Sequence, residues 1–244
     1  MKPMYMLAAL VFFLVIPGAI AAETKPFTKH FPLAECDFVT EGNNPYFILQ
    51  IGRETHFDNS ACVDAGNCDE FEEVIITVLD ETQDITMEID GAPQTITTRV
   101  VEENESVEGE LAEVSRNFFA ECAATRDVYY FGETVDDYED GVVVGHGGEW
   151  EAGVDNATPG IIMPGGAFLL GARYFQEFAP GVAKDQGENV KMGITKVVPA
   201  GTYEDCVKVK ETTPLEPGDV SIKMYCPGVG LVFDDGLELI SIVE

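Results

Sequence analysis

The residues with the plainest chemistry in this sequence are six cysteines: Cys36, Cys62, Cys68, Cys122, Cys206 and Cys226. An even number in an exported chain points to disulfides rather than to a thiolate nucleophile. Cys206 and Cys226 fall in successive strand-like segments on either side of Thr213–Gly218, a turn with two prolines. A hairpin centred on Glu216 sets them opposite one another. Opposed residues bring their Cβ atoms to about 4.5–5.5 Å, and a bonded pair comes closer. In that register Val207 and Val209 fall out of phase with Ile222 and Met224, so the hairpin needs either a bulge or two buried faces. Cys62 and Cys68 bracket a short Gly-Asn turn and pair across it or elsewhere; pairing across it leaves Cys36 for Cys122.

Carboxylates are the next candidates, because the chain has 44 acidic residues against 14 basic ones. Glu149 and Glu177 flank the stretch Glu149–Gly181, which carries the only tryptophan and three prolines. They are the pair to test for glycosidase chemistry, which needs two carboxyls facing across a cleft. With so many acids, a solvated strand face is the plainer reading of both. Calcium is the one ion the loops suit, and no other cofactor is implied. Asp64, Asn67 and Asp69 cluster in one loop, and Asp136, Asp137 and Asp140 in another. Oxygen-rich loops are what a hard cation requires, although neither follows EF-hand spacing. His30, His56 and His146 show no metal-ligand spacing, and no G-x-S-x-G occurs. Tyr129, Phe131, Trp150, Met163, Tyr174, Phe175 and Phe178 are candidates to line the concave face of a sheet, with Glu149 and Glu177 at its edge. The bland reading is that these aromatics are core.

The elements that must position these residues are short strands. Lys2, the apolar run Leu7–Ile16 and Ala19-Ile20-Ala21 form a signal-peptide pattern. Cleavage after Ala21 would leave 223 of the 244 residues and take the formal net charge from −30 to −31 with the loss of Lys2. That balance argues against nucleic acid and anionic membrane surfaces as partners, and no second apolar run suggests a transmembrane segment. Residues 22–43 read as a leader, and residues 44–244 as one β-rich domain. Strands are expected at Pro45–His56, Phe71–Leu79, Thr86–Ile89, Thr95–Glu102, Leu111–Ala120 and Asp127–Glu133. Others follow at Val142–Trp150, Val190–Val198, Thr202–Lys210, Val220–Cys226, Leu231–Phe233 and Leu237–Val243. Turn signals at short, regular intervals predict an all-β antiparallel meander of about ten strands, curved into a sheet or half-barrel. One short helix is expected near Val182–Asn189.

Several segments occur together in order: NPYF, YYFGE, EWEAGVDNATPGIIMPG, YFQEFAPG, TPLEPG and YCPGVGLV. This pattern, spanning about Asn44–Val232, resembles a family of uncharacterised exported bacterial β-rich proteins. The end piece is also distantly similar to LolA-like lipoprotein-carrier half-barrels. The resemblance implies an exported location, periplasmic or extracellular, and a curved β fold. Together these readings predict a non-enzymatic exported protein that binds a small apolar or lipid-like ligand in the concave face of its sheet. The alternatives are a structural or surface-assembly protein, a calcium-binding protein, and a carboxylate-dependent hydrolase using Glu149 and Glu177. An open cavity, a filled core with a long exposed edge, or paired carboxyls in a polar cleft would separate them.

Overall fold

The computed structural model describes residues 25–244. The signal-peptide segment, residues 1–21, lies outside the described residues. Among the described residues there are sixteen strands: β1 (Phe38–Val39), β2 (Glu54–Asp58), β3 (Glu72–Ile89), β4 (Ala92–Val107), β5 (Glu110–Cys122), β6 (Val128–Glu139), β7 (Val142–Gly145), β8 (Trp150–Glu151), β9 (Thr158–Met163), β10 (Arg173–Phe175), β11 (Glu177–Phe178), β12 (Gln186–Val198), β13 (Gly201–Thr212), β14 (Ser221–Cys226), β15 (Gly230–Asp234) and β16 (Leu237–Val243). All strand pairs are antiparallel. The all-β expectation therefore holds.

Three details of that expectation are corrected. Thirteen strands lie on one hydrogen-bonded path, β10-β12-β13-β14-β15-β16-β2-β3-β4-β5-β6-β9-β11, which is more than ten. The two ends of the path, β10 and β11, are separated in sequence only by Gln176, so the sheet curls into a nearly closed barrel rather than a half-barrel. The α-helix lies at Ser60–Asp64, whereas Ala183 bridges Ala179 and Gln186 already opens β12.

Glycine makes the closure possible. A Cβ on Gly160 would lie 2.2 Å from the Phe175 carbonyl oxygen, so only a residue without a side chain lets the 173–178 segment cross β9 this closely. Gln176 sits at the crossing, where its N–H donates to the Asp185 carbonyl and its Nε2 donates to Glu211 Oε1 at 2.6 Å.

The longest strands also depart from simple alternation. Val74 and Val78 are buried in the first half of β3, and Ile85, Met87 and Ile89 in the second. The phase changes across an irregularity between Val78 and Thr82. The carbonyls of Leu79 and Glu81 in that interval accept hydrogen bonds from the buried Arg99 guanidinium. Sequence periodicity divides β3 into two elements for this reason, because the polar run Asp80–Asp84 masks a continuous strand.

Residues 25–43 pack on the barrel. Phe31 and Phe38 set their rings edge-on to Tyr129, Phe38 does the same to Phe131, and Cys36 bonds Cys122. Cys62 bonds Cys68 and Cys206 bonds Cys226. The β13–β14 register pairs Val207 with Tyr225 and Val209 with Lys223, without a bulge. Both hairpin faces are buried instead: Cys206 and Cys226 join Phe57 and Leu239, while Val207, Val209 and Tyr225 join Met163.

Candidate functional site: a charged cavity inside the barrel

Within the barrel lies a cavity of about 290 Å³, partly open to solvent. Cross-strand ladders place its lining. Ile76 pairs with Glu103, and Val78 with Val101. Val101 in turn pairs with Asn117, Asn117 with Glu133, and Phe119 with Tyr130. Tyr130 and Glu133 are three residues apart, so a regular strand would send them to opposite faces. The pairing slips between Asn117 and Phe119, leaving Phe131 and Gly132 opposite Phe118. Gly132 takes φ +148° there, and a Cβ on it would meet the Trp150 carbonyl oxygen at 2.5 Å. This bulge turns Tyr130 and Glu133 to the same side.

A second wall comes from Tyr46, Phe47 and Ile48. These residues form no strand, contrary to the expectation of one from Pro45 onwards; the strand begins only at Glu54. They are held by Asn44, whose side chain is 3% exposed. Its Oδ1 accepts the N–H groups of Tyr46 at 2.8 Å and Phe47 at 3.0 Å. Its Nδ2 donates to the Arg126 carbonyl at 2.7 Å and the Met163 carbonyl at 3.2 Å. The buried Glu121 carboxylate accepts the N–H groups of Asn43 and Asn44. The segment is thus a rigid wedge, with its backbone satisfied by side chains instead of a ladder.

The cavity is rich in charge. Glu103, Glu133, Glu177, Asp185, Glu211 and Asp234 line it, with Lys223 and Arg53. Lys223 Nζ lies 3.3 Å from Glu211 Oε2 and 3.2 Å from Asp234 Oδ2. Burial works against the Lys223 charge, but Asp234 and Glu211 outweigh it and hold the ammonium well above its ordinary range. Arg53 pairs with Glu244 at 2.6 Å. Burial, then the neighbouring Glu105, pushes Glu103 up to about 8. Burial likewise lifts Glu133 to about 7, against the pull of Tyr130. Glu177 is raised well above the carboxylate range by burial and then by Asp185, and Asp185 is raised by burial and then by Glu211. Glu177 Oε1 accepts the Asp185 N–H.

The residues expected to form the site are only partly brought together. Glu177 lines the cavity. Met163 and Tyr174 are buried; Met163 packs on Val207, Val209 and Tyr225, and the Tyr174 hydroxyl donates to Asn189 Oδ1 at 2.9 Å. Trp150 is buried edge-on to Tyr130. Tyr129 and Phe131 instead face the N-terminal segment, because the interior position on β6 belongs to Tyr130. Phe175 stacks edge-on with Phe27 and Phe178, and Lys29 Nζ lies 3.1 Å from the Phe178 ring centre. All seven of these side chains, Trp150, Met163 and Tyr174 included, are packing residues outside the cavity lining. Glu149 does not join Glu177: it is partly exposed and accepts the Val135 N–H at 3.1 Å, beside His146.

The acidic loops also stay local. Asp64 closes the short helix, and the Asn67 N–H donates to the Cys62 carbonyl. Asp69 lies in the bend beyond Cys68. Asp136 faces His146, Asp137 accepts the Gly147 N–H, and Asp140 takes a positive φ in the β6–β7 turn. Among the described residues, no three or more His, Cys, Asp or Glu side chains gather as a metal-holding group.

Sequence reading missed Tyr130, Glu133, Lys223 and the Asn44–Ile48 wedge. Two signals were present: Gly132 inside an aromatic strand marks a bulge, and Lys223 is the one basic residue in the strand SIKMYC. Comparison with protein-family models, curated proteins and solved structures finds no match.

Proposed function

We propose that this chain is a non-enzymatic binding protein that holds a small organic molecule inside its barrel. The carrying observation is the cavity of about 290 Å³, whose wall sets apolar and aromatic side chains beside a large group of charged ones. Ligand sites run from about 300 Å³ upwards, and this volume falls near that lower limit. It suits a small molecule or a short chain better than a whole lipid. An assembly role would sit more easily with a filled interior. The three disulfides fit an exported chain in the periplasm or outside the cell, and among the described residues no helix is long and apolar enough to cross a membrane.

Native mass spectrometry of protein purified from its own host tests the reading. A co-purifying adduct of low mass, lost on denaturation, is expected. A bare protein mass, together with no rise in melting temperature across a panel of small amphiphiles, overturns it.

A further inference from the structure

We infer that the ligand is an organic cation, a small amine on an apolar body, seated with its ammonium group beside Glu177, Glu133 and Asp185. The inference rests on the binding reading above and adds the ligand's chemical class.

Charge accounting inside the cavity is the first ground. Lys223 is taken up by Glu211 and Asp234, and Arg53 by Glu244. Glu103, Glu133, Glu177 and Asp185 line the same cavity, and none of them forms an ion pair among the described residues. Glu177 is buried and Glu103 and Glu133 are half-buried, while Asp185 is exposed; a carboxyl taken out of water without a cation is costly and tends to hold its proton. A ligand that brings a positive charge offsets that cost; an anion would add to it.

The second ground is geometric. Glu177 is 3% exposed and lies against the cavity. One of its oxygens accepts the Asp185 N–H, and the other has no protein donor among the described residues. Trp150, opposite Glu133 in register, has a buried Nε1 that meets no acceptor in full hydrogen-bonding geometry, yet it lies near enough to the Glu133 carboxyl to favour its ionised form. An ionised Glu133 is the natural acceptor for that N–H. Tyr130, Phe119 and Phe47 bring aromatic surface to the same cavity, which a cation can use.

The third ground separates an organic cation from a metal ion. A metal needs its carboxylates converged on one point, and no such group exists among the described residues. Acids lining the same cavity as Phe47, Ile76, Val78 and Leu231 suit a cation with a hydrocarbon body.

Calorimetric titration with hexylamine, hexanol and hexanoate, which share one alkyl body, tests the inference. The amine is expected to bind at least about tenfold more tightly than the alcohol, a difference of about 1.4 kcal/mol, and hexanoate more weakly than either. Glu177→Gln should weaken the amine about tenfold and leave the alcohol unchanged. Glu133→Gln serves the same purpose should the first variant fail to fold by circular dichroism. Wild-type protein supplies an independent readout. Ammonium binding should drive protons off Glu177, Glu133, Asp185 and Glu103, in a cavity that Glu211, Asp234, Lys223, Arg53, Tyr130 and Tyr225 also line. The measured enthalpy should then vary with buffer ionisation, and affinity should rise from about pH 6 to about pH 8. Equal or tighter binding of the alcohol or the acid overturns the cation inference and leaves the binding reading standing. A pH-independent amine affinity without proton release also overturns it. Silence from all three probes, with a bare mass from the host, overturns both.

Discussion

Asn44 carries much of the cavity wall on one amide. It fixes the Tyr46–Ile48 wedge through two accepted N–H groups and ties it to the barrel through two donated bonds. Alanine there would leave two part-buried N–H groups and two carbonyls without their partner. At about 1–3 kcal/mol per buried group left unsatisfied, less what water recovers, Asn44→Ala should cost about 2–4 kcal/mol. Urea denaturation checks this; a loss below about 1 kcal/mol would mean the wedge is held by its aromatic packing alone. The NPYF motif is conspicuous in sequence, but its role is not legible there. An Asx-type turn and a strand start use the same residues, and only the arrival of Glu121 and of the Arg126 and Met163 carbonyls decides between them. Side-chain parity on β6 was hidden in the same way. YYF alternates, so sequence assigns Tyr129 and Phe131 to one face correctly; nothing local says that this face meets the N-terminal segment and that Tyr130 meets the cavity.

Disulfides link the elements and rank them. The bonds close sequence separations of 86, 20 and 6 residues. In the chain-entropy account, their stabilisation is about 4.5, 3 and 2 kcal/mol respectively. Pairwise Cys→Ser variants should therefore lose stability in the order Cys36/Cys122, Cys206/Cys226, Cys62/Cys68, read from denaturant midpoints. A larger loss from the Cys62/Cys68 pair than from Cys36/Cys122 would show that the N-terminal segment is docked by packing rather than by its bond. The Cys206–Cys226 register was legible because a hairpin's geometry is fixed by its own turn. The clash of phase between Val207/Val209 and Ile222/Met224 was legible too, and its resolution by two buried faces was not, since burial depends on what other strands bring to each side.

At the scale of the whole molecule, the unusual feature is where some of the acid lies. A formal net charge of −30 reads as a solvated surface, yet six carboxyls line the interior. Glu103, at about 8, and Glu133, at about 7, hold protons in the folded state that the unfolded chain releases near 4.5. The sign follows directly. Stability from these groups is full below about pH 4.5 and is lost as pH rises through about 7 to 8. Repulsion among the surface acids works in the same direction. The melting temperature should therefore fall between about pH 5.5 and about pH 8.5, and Glu103→Gln with Glu133→Gln should flatten that slope. An unchanged slope in the double variant would show that Glu103 and Glu133 do not carry the effect and leave it to Glu177, Asp185 and the surface acids.

Alternation, turn chemistry and cysteine spacing were enough by themselves to establish an all-β antiparallel chain, most strand positions and one hairpin register. These are local properties, set by the backbone within a few residues. Closure of the sheet through Gly160 and Gln176, the continuity of β3, the face chosen by Tyr130 and the gathering of Glu133, Glu177, Asp185 and Lys223 were decided only in three dimensions. Each depends on a bulge, a close backbone approach or a partner far away in the chain. One residue of slip reverses every side chain beyond it, and no local pattern records where that slip occurs.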